Sequence, residues 1–175
     1  KSFDEAIKIN PHYSRAYFNR GNTLIELKKY EKAVESFEKS IEIDPNDFEA
    51  YNNCGNSFFE LKKFDLAKQS FNKAINLNPN YADAYYNLGN TFYELGQLED
   101  SINNYNKAIK INPDLDFLLG KIIHIKSRIC DWESIENYKN LLKKKILKEG
   151  IGTQPMSILS QYDFPLLHKT NAINF

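Results

Sequence analysis

Six asparagines recur at intervals of 34 residues and form the most regular set of hydrogen-bonding side chains in the sequence. The first asparagine ladder is Asn19, Asn53 and Asn87, and the second asparagine ladder is Asn22, Asn56 and Asn90. A carboxamide both donates and accepts, so it can pair with a peptide N–H and C=O together. Ladders of this kind could bind the main chain of an extended polypeptide with little demand on its sequence.

Other side chains that could do chemistry are isolated. His124 and His168 have no carboxylate, cysteine or serine partner at a recognisable spacing, and His12, which follows a repeat-closing proline, is expected to be solvated. Cys54 and Cys130 fit neither a metal site nor a disulfide framework, and their scarcity fits a reducing compartment, which we expect to be the cytoplasm. We therefore expect no catalytic residue, no metal and no cofactor, and a buried structural role for Cys54.

Charge and hydropathy exclude two classes of partner. The 23 basic and 23 acidic residues of the 175-residue chain cancel. A net charge of zero gives no long-range attraction to nucleic acid or anionic lipid, so we expect neither partner. The sequence has no run of about 18 apolar residues, and we expect no membrane span.

Helical hairpins are the elements that position the ladders. Each repeat contains two stretches of helical apolar periodicity, separated by a short polar break and closed by Asn-Pro or Asp-Pro. Proline cannot continue a helix, so each unit ends there. The pattern predicts three helix–turn–helix units over residues 14–47, 48–81 and 82–115. Flanking them we expect the second helix of a truncated unit over 1–13, a degenerate capping helix pair over 116–150, and a loop and short helix over 151–175.

Within each unit, Tyr, Gly and a large apolar residue recur at offsets of four and three, as in Tyr17, Gly21 and Leu24. These spacings place the three on one helical face. Glycine inside a helix costs about 1 kcal/mol against alanine, so a glycine in all three units predicts that a neighbouring helix crosses there. The second helix of each unit alternates small and large residues, as interlocking surfaces require.

These recurring positions, together with the closing proline, resemble the tetratricopeptide repeat over about residues 1–115. The resemblance implies an all-α, right-handed superhelical solenoid of antiparallel helix pairs. Its concave groove, lined by the first helices, usually holds an extended peptide or a helix of a partner. We therefore expect a protein- or peptide-binding module.

In such a groove both asparagine ladders would face the ligand; the alternative is that they bridge helices or face water. We expect side-chain selectivity from neighbouring positions, namely Phe18, Asn52 and Tyr86, and one turn earlier Arg15, Glu49 and Asp83. Repeat modules that clamp a C-terminal carboxylate use Lys and Arg at such positions. Only Arg15 is basic here, so that kind of recognition is not expected.

Residues 112–175 are similar to the junction segment of bacterial proteins related to O-linked N-acetylglucosamine transferases. This resemblance implies that the chain is the N-terminal portion of a UDP-sugar-dependent protein O-glycosyltransferase whose catalytic lobes are missing. A further alternative is a scaffold that forms homo-oligomers through exposed solenoid ends. In this segment we expect Asp131 to cap a helix and Trp132 to pack. The matching residues are Leu118, Leu119, Gly120, Cys130, Asp131, Trp132, Pro155, Asp163, Phe164 and Pro165.

Overall fold

A computed structural model describes residues 2–115 and 117–148, which form helices and the turns between them, with no strand in these ranges. The expected all-α class is confirmed for this part of the chain. The expected loop and short helix of residues 151–175, including Pro155, His168 and residues 163–165, lie outside the described residues. The helices are α1 (Ser2–Ile9), α2 (Ser14–Glu26), α3 (Tyr30–Ile43), α4 (Phe48–Glu60), α5 (Phe64–Leu77), α6 (Ala82–Glu94), α7 (Leu98–Ile111), α8 (Phe117–Arg128) and α9 (Trp132–Lys148).

The chain divides into two compact units, Lys1–Pro113 and Asp114–Phe175. In the first unit, α2, α4 and α6 are the first helices of the repeats and α3, α5 and α7 are the second helices. Each first helix packs against the second helix of its own repeat, and α3 and α5 also pack against the first helix that follows. This arrangement is a solenoid of antiparallel helix pairs.

The helix-interior glycines lie where an aromatic ring of the second helix meets the first helix. A Cβ added at Gly55 would lie 2.7 Å from Cε1 of Phe71, and one added at Gly89 would lie 2.6 Å from Cδ1 of Tyr105. Gly21 faces Phe37 in the same way, at 2.6 Å. The predicted helix crossing is confirmed, and the three rings are at most 1% exposed. The pairs are Gly21 with Phe37, Gly55 with Phe71, and Gly89 with Tyr105.

In the second unit, α8 and α9 pack together, and Asp131 caps α9. The backbone N–H of Ser134 donates to Asp131 Oδ1 at 3.2 Å, which confirms the predicted N-cap. Lys126 Nζ lies 2.6 Å from Asp131 Oδ2. The expectation that Trp132 packs is wrong, because the indole at the start of α9 is 61% exposed. Phe64, which begins α5, packs edge-on against Phe59 at 5.5 Å, and Trp132 has no such ring partner in the described residues.

Replacing Asp131 by alanine should weaken the start of α9 in a pH-dependent way. Hydrogen bonds from Lys126 and Ser134 lower the pKa of Asp131 to about 2. Since the unfolded-state pKa is about 3.9, the cap stabilises the fold above that value and loses its effect as pH falls toward 2. Amide hydrogen exchange in α9 should therefore speed up in Asp131→Ala at neutral pH. The matched variant Glu133→Ala, at an exposed acid in the same first turn, should change exchange much less.

Candidate functional site

The candidate site is one face of the three first helices. Four positions on each helix, spaced by four, three and four residues, share a narrow stripe. Asn19 lies two residues before Gly21, about 160° around the helix, so the stripe is turned away from the second helices. We call this surface the groove face. Its residues are Arg15, Asn19, Asn22 and Glu26 on α2, Glu49, Asn53, Asn56 and Glu60 on α4, and Asp83, Asn87, Asn90 and Glu94 on α6.

Hydrogen bonds between asparagines join the first helices across this face. Asn53 Nδ2 donates to Asn22 Oδ1 at 2.9 Å, which links α4 to α2. Asn87 Nδ2 donates to Asn52 Oδ1 at 3.0 Å, which links α6 to α4. Asn52 Nδ2 in turn donates to Asn53 Oδ1 at 3.1 Å. We call these four residues the amide chain; it holds successive first helices in register.

The remaining members of the ladders differ in their bonding. Asn19 and Asn56 make no side-chain hydrogen bond within the described residues, and both are half-buried. Asn90 accepts a bond from the Tyr105 hydroxyl at 2.7 Å, a contact that Phe37 and Phe71 cannot make in the other repeats. The bridging alternative thus describes Asn22, Asn53 and Asn87, whereas Asn19 and Asn56 keep their amides open on the groove face.

The neighbouring positions expected to select ligand side chains fall into two groups. Phe18 and Asn52 are only 5% and 3% exposed, because Phe18 packs edge-on against Phe37 and Asn52 lies within the amide chain. Neither offers the surface that contact with a ligand side chain requires. Tyr86 is half-buried and Asp83 is exposed, so both are accessible on α6.

Arg15 and Glu49 lie at the beginning of the groove face and contact one another. Arg15 Nη1 is 3.5 Å from Glu49 Oε2, and both side chains are about half exposed, at 54% and 45%. The Arg15 guanidinium also lies over the Phe18 ring, 4.4 Å from its centroid. A cation with two partners of this kind is held close to the helix surface.

Sequence reasoning missed three glutamates on the same face. Glu26, Glu60 and Glu94, which we call the glutamate ladder, are the last residues of α2, α4 and α6 and are exposed. The signal that could have found them is the one that revealed the asparagines, because they also recur every 34 residues. Glu60 also affects a neighbouring tyrosine. Desolvation raises the pKa of Tyr30, and the charge of Glu60 and its hydrogen bond with Tyr30 raise this pKa further.

The groove face carries a negative local charge that also reaches the start of α6. Burial raises the pKa of Tyr81 to about 12, with smaller contributions from the charges of Asp83, Glu49 and Asp47.

In the described residues, no three His, Cys, Asp or Glu side chains come together as a metal site would need. Burial also raises the pKa of the Cys54 thiol to about 12, and the residue is 3% exposed, which confirms its structural role.

Family models agree with this geometry. A model described as "TPR repeat" matches residues 21–62 and 55–96. Two models described as "Tetratricopeptide repeat" match residues 82–115 and 2–35. The chain belongs to the tetratricopeptide repeat family. The matches together span residues 2–115, which contain all three complete helix pairs of the first unit.

Solved structures show the same repeat fold. A crystal structure of MamA is 27% identical, with a TM-score of 0.78 over 84% of this chain and 86% of that chain. MamA from Desulfovibrio magneticus RS-1 is 22% identical, with a TM-score of 0.75 over 86% and 84% of the two chains. The first tetratricopeptide repeat domain of Spaghetti (RPAP3), solved with the HSP90 peptide SRMEEVD, is 24% identical, with a TM-score of 0.63 over 67% and 93%.

None of the curated proteins matches this sequence. The family confirms the expectation of a tetratricopeptide solenoid and of a protein-binding repeat module. The structural likenesses confirm the fold. They lend no support to the resemblance of residues 112–175 to a glycosyltransferase junction.

Proposed function

We propose that this module binds an extended segment of a partner protein along the groove face of α2, α4 and α6. The observation that carries the proposal is that three equivalent helical stripes are held in register by the amide chain. A surface repeated in this way suits a ligand that is itself periodic, as an extended main chain is. The Spaghetti (RPAP3) domain, which shares the fold, was solved bound to a short peptide and provides a precedent.

In this proposal the asparagines have two roles. Asn19 and Asn56 contact the ligand main chain, since their amides have no other side-chain partner in the described residues. Asn53 and Asn52, with Phe18, support the surface from within. Helices packed side by side repeat about every 8–10 Å and an extended chain advances about 3.3 Å per residue, so equivalent side chains would meet about every third ligand residue.

The surroundings of the protein also belong to the proposal. Two free cysteines, one buried and one exposed, are compatible with the cytoplasm. None of the helices in 2–115 and 117–148 has both the length and the apolar character of a membrane span. A formal net charge of zero gives no general attraction to nucleic acid, and we propose protein partners alone.

Changing Asn19 and Asn56 together to alanine should weaken peptide binding without weakening the fold. Loss of two hydrogen bonds should lower affinity about tenfold. The probe is a fluorescent peptide selected against the whole chain from a random-sequence library, and the measurement is anisotropy. In contrast, Asn53→Ala removes a link of the amide chain and should lower the free energy of unfolding by about 1 kcal/mol.

Circular dichroism and urea unfolding provide the control for this pair of experiments. Unchanged affinity in the Asn19/Asn56 double variant, with an unchanged unfolding midpoint, would contradict the assignment of these amides to the ligand. A destabilised double variant and an unaffected Asn53→Ala would show that the two roles are reversed.

The wider proposal, that this chain delivers substrates to a glycosyltransferase, rests on the resemblance of residues 112–175, of which 149–175 lie outside the described residues. The sequence of the full-length gene tests this proposal. A reading frame that continues beyond Phe175 into alternating strands and helices would support it, and a frame that ends there or enters another class of domain would contradict it.

Self-association is a separate candidate, which one observation favours. Ile9, the last residue of α1, is 86% exposed and Tyr13 is 50% exposed, so the described residues present apolar surface at the end of α1. If this end pairs with a second copy, sedimentation velocity should show a dimer that Ile9→Asp abolishes. A monomer at all concentrations would contradict the candidate.

A further inference from the structure

We infer that the ligand of the groove face is a basic polypeptide segment, with lysine or arginine at about every third residue. The inference rests on the proposed function, because it names the chemistry of the segment that the groove would hold. It depends on the balance of charge on the groove face, on the partners of each charged group and on the spacing of the three stripes.

The groove face is acidic although the whole chain is neutral. Its twelve residues include one cation, Arg15, and five carboxylates, which is a net charge of −4 on a chain whose formal net charge is 0. All five carboxylates are exposed or half-exposed. They are Glu26, Glu49, Glu60, Asp83 and Glu94.

The single cation does not neutralise the rest of the face. Arg15 is paired with Glu49 at 3.5 Å and lies over the Phe18 ring. Within the described residues, the glutamate ladder and Asp83 have no lysine or arginine at ion-pair distance. Two exposed acids on the second helices do find one, Glu42 with Lys39 and Asp65 with Lys68, each through an i, i+3 pair. Glu60 has a hydrogen bond with the Tyr30 hydroxyl, but this neutral partner leaves its charge in place. Four carboxylates of the groove face thus have no cation of this chain at ion-pair distance in the described residues.

Lysines of the hairpin turns are the nearest basic groups in the sequence. Lys28 and Lys29 follow α2, and Lys62 and Lys63 follow α4, whereas the third turn has Gly96 and Gln97 instead. The stripe of α6, which carries Asp83 and Glu94, therefore has no lysine at its end. We expect the preference for a ligand cation to be strongest at this stripe.

The spacing suits an extended segment. Three stripes at about 8–10 Å cover roughly 16–20 Å, the length of about six extended residues. Successive lysines three residues apart would therefore reach successive members of the glutamate ladder. An acidic segment such as SRMEEVD, the HSP90 peptide held by the Spaghetti (RPAP3) domain, would bring like charges together and should be rejected here.

The test compares peptides that differ only in charge, measured by fluorescence anisotropy with the whole chain. There are four peptides. Three share a background of Asn, Gly and Ser and have lysine, glutamine or glutamate at every third position. The fourth is SRMEEVD. We expect the lysine peptide to bind at least about tenfold more tightly than the glutamine peptide, and the two acidic peptides not to bind. Binding should weaken as NaCl rises to about 0.5 M.

A matched pair of protein variants locates the effect. The first is a triple variant of the glutamate ladder, Glu26→Gln with Glu60→Gln and Glu94→Gln. It should bind the lysine peptide about tenfold more weakly than the parent chain does. The control triple removes the same charge from exposed positions of the second helices, Glu31→Gln with Glu35→Gln and Glu99→Gln, and should leave affinity within about twofold. Both triples should keep the cooperative urea unfolding of the parent chain. Small midpoint shifts of opposite sign are expected, because the control triple loses favourable charges in the first turns of α3 and α7 and the other triple loses unfavourable charges at the ends of α2, α4 and α6.

The outcomes separate the inference from the proposed function. If the lysine and glutamine peptides bind equally, the inference of a basic ligand is wrong. The proposed function still holds in that case if the Asn19/Asn56 variant loses binding of both peptides. Equal losses in the two glutamine triples indicate diffuse attraction and also overturn it. If no peptide of the set binds and library selection yields none, both the inference and the proposed function are wrong.

Discussion

Phe71→Ala is expected to lower the free energy of unfolding by about 3–5 kcal/mol, the range for truncating a buried phenylalanine. Phe71 is 0% exposed and lies in a cluster with Ala67 and with Leu88 of the following first helix. Its ring also covers Gly55 of the preceding first helix. One side chain therefore connects α5 to both α4 and α6, and its loss weakens two helix interfaces together.

Repeat arrays derive much of their stability from interfaces between neighbours, so this variant should also lose cooperativity. We expect hydrogen exchange to speed up in α4 to α7 and much less in α8 and α9. The matched control is Leu66→Ala on the same helix, where the side chain is 41% exposed and the change should stay within about 0.5 kcal/mol. A Phe71→Ala cost below about 1 kcal/mol would contradict the assigned packing.

The stability of the solenoid was predictable from the sequence because its determinants recur. Glycine recurs at the position of Gly55 in all three units and an aromatic residue at the position of Phe71, and a helix-interior glycine needs a steric reason wherever it occurs. The closing prolines set the limits of each pair in the same way. These features act within one repeat or between adjacent repeats, so the sequence period already contains their geometry.

The groove face was predictable only in part. The ladders were assigned to one helical face, but their hydrogen bonds join residues 31 and 35 positions apart, and their partners depend on how adjacent first helices approach. Asn52 shows the difficulty. It replaces Phe18 and Tyr86 in the repeat alignment, and its burial follows from bonds to Asn53 and Asn87 that no single repeat contains.

Position in the array also limits prediction from the repeat pattern. Trp132 aligns with Phe64 in sequence, yet Phe64 packs on Phe59 and Trp132 is largely exposed. The second unit has lost the repeat pattern, and a shared offset no longer implies a shared neighbour. The glutamate ladder was missed for a different reason: glutamate at the end of an exposed helix is common, and only its place beside the asparagines gives it meaning.

Gly55→Ala is expected to lower the free energy of unfolding by about 2 kcal/mol. Helix propensity alone predicts the opposite, an increase. Propensity alone would favour alanine by about 1 kcal/mol, but the new methyl group would lie 2.7 Å from Phe71 Cε1, and overpacking a buried ring costs about 1–3 kcal/mol. The ring is fully buried and cannot move aside without displacing α5. Urea unfolding followed by circular dichroism measures the sign directly.

A double-mutant cycle with Phe71→Leu tests whether the clash is the cause. Leucine lacks the ring atoms that approach Gly55, so Gly55→Ala should cost at least about 1 kcal/mol less in the Phe71→Leu background, a coupling typical of residues in contact. If the two costs simply add, the methyl group is being accommodated elsewhere. If Gly55→Ala stabilises the parent chain, propensity outweighs the crossing, and the recurrence of glycine at residues 21, 55 and 89 would need another cause than close helix packing.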